Sequence, residues 1–346
     1  MKVLHLLNTN SFSGAENVAI TIIKNLGSEF DSGYVSLNGP IREKLTEEKI
    51  KFFSIQKMTS KELIVIIREF KPDIIHAHDF TTSIVAAMTK TRVPIVSHLH
   101  NNVPWLKKIH PYSFAYLIAT LRFKKILGVS QSIFDEYIFN DFIKKKFQVI
   151  SNPVNVKYIT LKANTSLKEK FDIVFLGRLA QQKNPLEFIE LIYQIKNKVP
   201  NLKVAMIGDG VLKDQCENKI SELQLQDTIS MLGFIDNPYG ILSMSKALCM
   251  TSVWEGYGLV AVEALSLGVP VVASPVGGLT EIVNNECGLL SFDHHEYINE
   301  VTKLIENEEY WNIKSTKAYV RATELNNISE YMDSITNIYK EITNKH

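Results

Sequence analysis

Two carboxylates, Glu255 and Glu263, stand eight positions apart in the C-terminal part of the chain, in surroundings that suggest chemistry. A glycine-containing run, GYG, follows the first acid, and an apolar helical pattern surrounds the second. The glycines predict a tight loop that opens a helix near Leu259, with Glu255 in the loop and Glu263 in the second helical turn. Paired acids also occur in glycosidases, where their separation in space decides the chemistry.

The predicted start of this helix is a candidate anion site. A helix that begins directly after a glycine loop has free N–H groups and the positive end of its dipole at Gly258, Leu259 and Val260. Such a helix start readily binds phosphate. Carboxylates beside a phosphate are suited to accept hydrogen bonds from hydroxyl groups on either side of it. The pattern therefore indicates a ligand that contains a sugar, a diphosphate and a ribose.

This stretch resembles the Glu-x7-Glu signature of retaining GT-B glycosyltransferases, and most of all glycosyltransferase family 4. The resemblance implies that Glu255 contacts hydroxyls of the donor sugar and that Glu263 holds the ribose of the nucleotide. It also implies that Glu255 positions the sugar rather than attacking it. For the two acids taken alone, an exposed loop acid and an unrelated acid on a helix surface are the alternative.

A second charged motif lies where the C-terminal half begins, in the run GRLAQQK. Arg178 offers a planar fork of donors and Lys183 a point charge, and together they can neutralise a departing diphosphate. The run is similar to the family's Gly-Arg-Leu-x-x-x-Lys motif, which implies that both cations bind the diphosphate. Surface cations without a ligand are the alternative.

Three further positions resemble donor contacts of the family. Gly14 follows the first predicted strand in a run that is similar to the Gly-Gly-Ala-Glu loop, although Ser13 replaces its first glycine. A plain connecting turn is the alternative there. Gly208 lies in a glycine turn after a predicted strand, and Phe234 follows the turn that the resemblance places beside the nucleobase.

Two His-x-His pairs, His76/His78 and His98/His100, lie at the ends of predicted strands, where open α/β sheets bind ligands. Alternate strand positions share a face, so a four-histidine metal site is one hypothesis. The residues after His78 depart from the His-x-His-x-Asp-His pattern of metallohydrolases. The run PIVSHLHNN resembles the family strand that ends in a histidine beside the donor sugar, which implies this catalytic contact for His100. We expect the other three to be ordinary strand-end residues.

The rest of the chain must supply the elements that position these residues. Short apolar runs alternate with helical patterns, which predicts parallel sheets covered by helices on both faces. The resemblance implies an α/β protein with the GT-B fold, two Rossmann-like domains facing a central cleft. We predict an acceptor-binding domain over 1–165, a nucleotide-sugar-binding domain over 166–325 and a terminal helix over 326–346 that crosses back to the first domain. A polar linker is expected over 156–170.

Composition narrows the function classes. The chain has 346 residues, 45% of them hydrophobic, and is long enough for two globular domains. Its three cysteines are widely spaced in apolar surroundings, so we expect reduced core residues. Residues 1–165 hold 22 Lys and Arg against 13 Asp and Glu, whereas residues 166–346 hold 16 against 24. The basic half favours an anionic partner, but the pI of about 7.7 argues against a dedicated nucleic-acid binder.

Residues 101–125 interleave aromatic and basic side chains, and a lysine run at 144–146 extends the pattern. This mixture suits an anionic membrane surface, and a helix with a solvated basic face is the alternative. The N-terminal apolar run is short for a signal peptide, and no stretch approaches the roughly 18 apolar residues of a membrane span. We expect a cytoplasmic protein and leave open a peripheral attachment to the inner face of the cell membrane.

These observations together predict a retaining glycosyltransferase that uses a nucleoside-diphosphate sugar, with UDP as the expected nucleotide. The cations and the helix start supply the charge stabilisation, so no metal and no cofactor are expected. By the same resemblance the acceptor is a glycan or a lipid-linked glycan in bacterial surface polysaccharide or glycolipid assembly. A sugar-nucleotide epimerase of the same fold and a non-catalytic subunit that binds nucleotide or glycan are the alternatives. The complete set of Arg178, Lys183, Glu255 and Glu263 argues against both.

Overall fold

The computed structural model describes residues 1–11, 13–165 and 169–344. The chain divides into two compact domains: the first comprises Met1–Pro153 with Ile328–His346, and the second comprises Val154–Asn327. Each is built on one parallel sheet. Phe12 of the predicted glycine loop, residues 166–168 of the predicted linker and residues 345–346 of the predicted terminal segment lie outside the described residues.

The first domain contains a seven-stranded sheet in the order β3-β2-β1-β4-β5-β6-β7. Its central strands are almost entirely buried because helices cover both of their faces, and histidines and a serine interrupt their apolar residues. Their registers are regular, and Leu4, for example, pairs with Ile75 on one side and Gly33 on the other. The strands are β1 (Lys2–Leu6), β2 (Asp31–Leu37), β3 (Lys51–Ile55), β4 (Ile74–His78), β5 (Ile95–Leu99), β6 (Phe123–Gly128) and β7 (Phe147–Val149).

Helices connect these strands, and local signals fix several of their ends. Helix α3, for example, begins where the Thr59 side chain accepts a hydrogen bond from the Glu62 N–H, as expected of an N-cap. The helices are α1 (Gly14–Asn25), α2 (Ile41–Glu47), α3 (Ser60–Phe70), α4 (Phe80–Met88), α5 (Pro111–Ala119), α6 (Gln131–Glu136) and α7 (Asn140–Ile143). Helix α5 itself carries no basic residue, so the alternative of a helix with a solvated basic face does not hold for Pro111–Ala119. The basic residues flank α5 instead.

The second domain begins with a helix rather than a linker. Helix α8 (Val156–Asn164) buries Val156, Ile159 and Ala163 and packs against helices of the second domain. The predicted division after residue 165 therefore comes too late, because an apolar stripe in this lysine-bearing segment packs it against the second domain. The stripe is too short to stand out from its polar neighbours in the sequence.

The sheet of the second domain has six strands in the order β10-β9-β8-β11-β12-β13. They are β8 (Ile173–Leu176), β9 (Val204–Ile207), β10 (Ile229–Gly233), β11 (Ala247–Met250), β12 (Val271–Ala273) and β13 (Gly288–Leu290). The sequence predicts only helix after Glu281, and β13 corrects this. A three-residue strand has no readable periodicity and is defined by its pairing with β12.

Seven more helices complete the second domain, and α12 packs against α15. They are α9 (Pro185–Lys196), α10 (Lys213–Glu222), α11 (Tyr239–Ser243), α12 (Leu259–Ser266), α13 (Leu279–Ile282), α14 (His294–Glu306) and α15 (Glu308–Glu324). The C-terminal helix α16 (Ile328–Thr343) returns to the first domain, where it buries Tyr331, Ile335 and Tyr339.

The cysteines and the helix lengths bear on two predictions about the chain as a whole. The three cysteines, Cys216, Cys249 and Cys287, are free and buried, as the sequence predicts. Within the described ranges, every helix is too short or too polar to cross a bilayer.

Candidate functional site

The centre of the charged site in the second domain is a contact between Lys183 and Glu255. Lys183 lies in the turn between β8 and α9, and Glu255 lies in the loop between β11 and α12. The Lys183 ammonium donates to Oε1 of Glu255, and the Ser252 hydroxyl donates to the same oxygen over 2.8 Å. Both side chains of the ion pair are largely buried, at 16% and 7% exposure. Burial strengthens such a pair because little water competes for it.

Gln182 connects Arg178 to the loop that carries Glu255. The Arg178 guanidinium donates to Oε1 of Gln182 over 3.1 Å, and the Gln182 amide donates to the Trp254 carbonyl over 3.1 Å. The Val253 N–H donates to the Gln182 carbonyl over 2.8 Å. Gln182 thus fixes the two predicted motifs against each other. Sequence reasoning missed this role, although Gln182 directly precedes Lys183 in the cation motif.

The predicted step from glycine loop to helix is confirmed. Gly258 caps α12 with φ of 98°, and a Cβ at this position would lie 2.6 Å from Cδ2 of Leu279. Only glycine adopts this conformation without strain. Helix geometry leaves the N–H groups of Leu259 and Val260 without acceptors inside α12. The positive end of the helix therefore lies three residues after Glu255.

Glu263, on the next turn of α12, is held by Tyr239, whose hydroxyl donates to Oε1 over 3.0 Å. Burial raises the pKa of Glu263 to about 7, while the Tyr239 hydrogen bond and the charge of Lys183 oppose the rise. Lys183 therefore acts on both acids, by contact with Glu255 and through its charge on Glu263. Tyr239 gives no local signal in the sequence, since it lies 24 residues before Glu263.

Two glycines in the turns that follow strands β9 and β12 make close backbone contacts with neighbouring loops. Gly277 has φ of 54°, and a Cβ there would lie 1.8 Å from the Glu255 carbonyl oxygen. A Cβ on Gly208 would lie 2.0 Å from the Gly177 carbonyl oxygen, and the Gly208 N–H donates to the Gly233 carbonyl over 2.8 Å. Side chains at these positions would push the turns apart. Both glycines therefore keep the ends of neighbouring strands in contact.

The remaining predicted residues differ in where the structure places them. Phe234 follows β10 and is 65% exposed, so its ring is accessible to a ligand. Gly14 is the first residue of α1 rather than part of a turn, and it is exposed. The Thr9 and Ser13 hydroxyls both donate to the buried Glu16 carboxylate just after it. Gly14 therefore lies where the loop after β1 meets α1, and its contact with the donor stays a prediction.

In the first domain the structure gathers the two His-x-His pairs and one further histidine into a single cluster. His5 on β1 pairs in register with His76 on β4, and His78 pairs with His98 on β5. His100 directly follows β5, and its Nε2 lies 2.9 Å from Nδ1 of His78. We call these the five-histidine cluster. Sequence reasoning missed His5 because only the β1–β4 pairing brings it to the others.

Burial controls the charge of the five-histidine cluster. It lowers the pKa of His5 and of His100 to about 3, and it lowers the pKa of each of the other three well below its usual value. All five are therefore neutral imidazoles near pH 7. Two groups of three, His5/His76/His78 and His78/His98/His100, have ring nitrogens within 4.8 Å of one another, which makes metal ligation a hypothesis to be tested against ring orientation.

Two family models match successive parts of the chain. The model described as Glycosyltransferase Family 4 matches residues 13–158, and the model described as Glycosyl transferases group 1 matches residues 159–322. The boundary between the matches falls within α8. The two models therefore cover nearly all of both domains.

Curated relatives align along almost their whole length. One is the N-acetylgalactosamine-N,N'-diacetylbacillosaminyl-diphospho-undecaprenol 4-alpha-N-acetylgalactosaminyltransferase of Campylobacter jejuni, which is 26% identical over 93% of this chain and 95% of the relative. Another is the UDP-Gal:alpha-D-GlcNAc-diphosphoundecaprenol alpha-1,3-galactosyltransferase of Escherichia coli, which is 26% identical over 98% of this chain and 96% of the relative.

Among solved structures, HepE of Anabaena in complex with UDP-glucose matches with a TM-score of 0.86. The match covers 99% of this chain and all of HepE at 20% sequence identity. Identity at this level speaks for the fold alone. The expected pair of parallel-sheet α/β domains of GT-B type is confirmed.

Proposed function

Since this chain belongs to the family 4 and group 1 glycosyltransferases, we propose that it moves a sugar from a UDP-sugar to an acceptor hydroxyl and retains the anomeric configuration. One observation carries the proposal: Lys183 contacts Glu255 and acts through its charge on Glu263. A cation that contacts one acid and acts electrostatically on a second, with a helix start close to the first, suits a donor that carries a diphosphate, a sugar and a ribose.

Positive groups of the site can stabilise the charge that develops during the reaction. As the bond between the anomeric carbon and the diphosphate oxygen breaks, negative charge grows on the diphosphate. We assign its stabilisation to Arg178, Lys183 and the N–H groups at the start of α12. These groups meet the need for positive charge, so the proposed reaction requires no metal ion. The acceptor oxygen then bonds to the anomeric carbon on the side of the leaving group, and its proton passes to a diphosphate oxygen.

The contacts of Glu255 support a positioning role. Its Oε1 already accepts from Lys183 and Ser252, which leaves Oε2 to accept from hydroxyls of the sugar. A carboxylate neutralised by an ammonium is a weak nucleophile, so we do not assign covalent attack to Glu255. Glu263 accepts from the ribose hydroxyls when ionised. Gly208 lies at a strand end next to Gly177, and Phe234 follows Gly233, whose carbonyl accepts from the Gly208 N–H. The nucleotide is proposed to bind at these strand ends.

The acceptor is proposed to be a lipid-linked glycan, and a surface of the first domain supports this. Six large apolar side chains there are at least half exposed to solvent: Ile109, Tyr112, Phe114, Ile118, Leu121 and Phe142. Lysines and arginines flank them at 107–108, 122–125 and 144–146. We call these residues the apolar–basic surface. The names of both relatives described above include a diphospho-undecaprenol acceptor, which agrees with an acceptor held at a membrane.

A cavity beside the apolar–basic surface gives it a place for an anionic headgroup. It has a volume of about 500 Å³, and Arg92, Arg122, Lys124 and Lys146 line it. Within the described residues none of the four forms an ion pair with an acid. Burial, and then the nearby Lys124 charge, lowers the pKa of Lys146. Crowded cations of this kind are stabilised by a phosphate, so we propose attachment to anionic lipid at the cytoplasmic face of the cell membrane.

A donor panel tests the enzyme proposal. The purified protein is offered UDP, GDP and their sugar conjugates, and thermal unfolding is followed for each. We expect stabilisation by UDP-sugars and, with a diphospho-lipid glycan acceptor, a product whose anomeric coupling in NMR equals that of the donor. An inverted product would overturn retention. Conversion of the donor sugar without an acceptor would favour the epimerase, and stabilisation only by GDP-sugars would refute the choice of UDP.

A further inference from the structure

The imidazoles of the five-histidine cluster lie in two hydrogen-bonded rows. In the first row Nδ1 of His5 lies 3.1 Å from Nε2 of His78, and Nδ1 of His78 lies 2.9 Å from Nε2 of His100. In the second row the Tyr339 hydroxyl lies 2.5 Å from Nδ1 of His76, whose Nε2 lies 3.1 Å from His98. The rows therefore run side by side across β1, β4 and β5, and only the first one ends at His100.

Stacking between the rows argues against a shared metal ion. The rings of His76 and His78 are 4.2 Å apart and 19° from parallel. A metal ion lies in the plane of each imidazole that binds it, so two such stacked rings cannot both ligate one ion. Nitrogens of His78 and His100 face each other at 2.9 Å, closer than the about 3.3 Å between two ligands on tetrahedral zinc. This is hydrogen-bond geometry.

A row of neutral imidazoles has a direction, because each ring carries one N–H and one lone pair. The end atoms of the first row, Nε2 of His5 and Nδ1 of His100, are both buried and have no partner among the described residues. In one direction the unpaired N–H falls on His5, deep in the sheet. In the other direction it falls on His100, at the end of β5.

The cost of an unpaired N–H decides between these directions. Buried N–H groups without an acceptor are rare because they lose their hydrogen bond to water. His5 is fully buried with no acceptor for this group among the described residues, whereas His100 is only partly buried at the end of β5, where a ligand oxygen can approach it. The favoured direction has each histidine donating from Nδ1 to the next. An isolated imidazole in water carries its proton mostly on Nε2, so the row would enforce the less common tautomer.

We propose that His5 and His78 are positioning residues that hold His100 as the Nδ1–H tautomer, ready to donate to a hydroxyl oxygen of the sugar substrate. The inference rests on the proposed function, because it takes a sugar hydroxyl as the partner of His100. It goes beyond that function by assigning roles to two buried residues that need not touch the substrate. It also explains why a buried polar row persists in an apolar sheet.

The tautomer can be measured directly. Protein labelled with ¹⁵N-histidine is examined without substrate by long-range ¹H–¹⁵N correlation, and His100→Gln identifies the signal of His100. We expect a protonated Nδ1 in the wild type and a shift towards protonated Nε2 in His78→Leu. In His78→Gln the amide can still donate to His100, so the Nδ1–H form should return. A protonated Nε2 on His100 in the wild type would overturn the proposal.

Tyr339→Phe is the matched control, since it removes a hydrogen bond from the second row of the same cluster. It should leave the tautomer of His100 unchanged, and a change would mean that general packing sets it. Metal analysis of protein purified without chelators provides another arm. If the wild type holds about one metal ion per chain and His78→Leu loses it, the cluster is a metal site and the proposed hydrogen-bonded row from His5 to His100, the histidine relay, is wrong.

Kinetics connects the relay to turnover. His78→Leu should lower kcat/KM for sugar transfer about tenfold, as expected for one misplaced hydrogen bond, and should leave UDP affinity unchanged. An equal loss in His78→Leu and His78→Gln would contradict the relay. If the wild type holds the Nδ1–H tautomer but transfers no sugar, the proposed function fails alone. If an active enzyme shows the Nε2–H tautomer, the relay fails alone.

Discussion

The two domains share a parallel-sheet architecture but place different chemistry on it. In the second domain four ionisable side chains lie at strand ends and near helix starts, where Lys183 contacts Glu255 and its charge opposes the rise that burial causes in the pKa of Glu263. In the first domain five neutral imidazoles lie against three central strands under α16. Fixed charges suit a diphosphate, whereas neutral donors suit a hydroxyl. The fold therefore supplies positions at strand ends, and the residue types decide which part of a ligand is bound there.

Burial shifts the pKa values in both regions towards the neutral form, and the consequences for stability have opposite signs. It lowers the pKa of His5 and His100 to about 3 and raises the pKa of Glu263 to about 7. The histidines favour folding above their unfolded pKa of about 6.5, and Glu263 favours folding below its unfolded pKa of about 4.5. Acid should therefore weaken the first domain while removing a cost from the second.

The largest expected effect is acid destabilisation of the first domain. His5 and His100 each lose about 1.4 kcal/mol of stabilisation per pH unit as the pH falls below about 6.5, a loss that continues towards their folded pKa of about 3. The other three histidines change stability in the same direction. Pulse proteolysis at pH 7.5, 6 and 5, with fragments assigned by mass spectrometry, should show the first domain cleaved well before the second. The exposed His295 serves as control, and His295→Gln should leave this order unchanged. Equal resistance of the first domain at pH 7.5 and 5 would mean that the cluster does not stay neutral.

Removing a cation from the second domain should have the next largest effect. Arg178→Ala is expected to lower kcat by roughly 10²-fold, by analogy with the loss of a donor that stabilises developing charge. Arg178→Lys keeps the positive charge but loses the planar pair of guanidinium donors, so its kcat should lie between those of the wild type and Arg178→Ala. Steady-state kinetics with a UDP-sugar measures this, with Lys213→Ala, an exposed lysine on α10, as control. Near-normal turnover of Arg178→Ala would contradict the proposal that Arg178 binds the diphosphate.

Glu263→Gln should separate binding from stability. The amide cannot match a carboxylate as acceptor for two ribose hydroxyls, so we expect UDP affinity by calorimetry to fall about tenfold. Wild-type affinity should itself fall as the pH drops through about 7, where Glu263 takes up a proton. At pH 8 the variant should be more stable by up to about 3 kcal/mol, and this gain should shrink as the pH falls and vanish at pH 4, below the unfolded pKa.

The control for this experiment is Glu222→Gln, which changes an exposed acid on α10 of the same domain. It should alter neither affinity nor the pH dependence. Unchanged UDP binding in Glu263→Gln would show that the ribose lies elsewhere. A variant less stable at pH 8 would instead contradict the burial cost of the charge.

The smallest expected effects concern the membrane. Leu121→Asp and Phe142→Asp each place a negative charge on the apolar–basic surface and should reduce sedimentation with anionic vesicles several-fold. Transfer to a soluble acceptor should be unaffected. Val211→Asp, an equally exposed apolar position of the second domain, is the matched control. Vesicle binding that ignores lipid charge and salt would leave the surface without a membrane role.

Sequence reasoning succeeded where the signal is local. The glycine that caps α12, the cation motif after β8 and most strand positions can be read from runs of neighbouring residues. It failed where an element is defined only by its partners, as with β13 and α8. The same holds for the site: Arg178, Lys183, Glu255 and Glu263 are named by motif, whereas Tyr239 reaches Glu263 through the packing of α11 on α12 and His5 reaches its partners through the pairing of β1 with β4. Side-chain pairing at long range has no periodicity that a sequence can display.

The contact between Lys183 and Glu255 has a consequence for the order of events in a catalytic cycle. A diphosphate that takes the ammonium leaves the buried carboxylate in need of a new donor. An intact sugar nucleotide provides that donor through its own hydroxyls, but the nucleotide left after transfer does not. The Lys183 ammonium would then return to Glu255. The nucleotide left after transfer would therefore bind less tightly than the sugar nucleotide, which favours replacement of the product by a new donor.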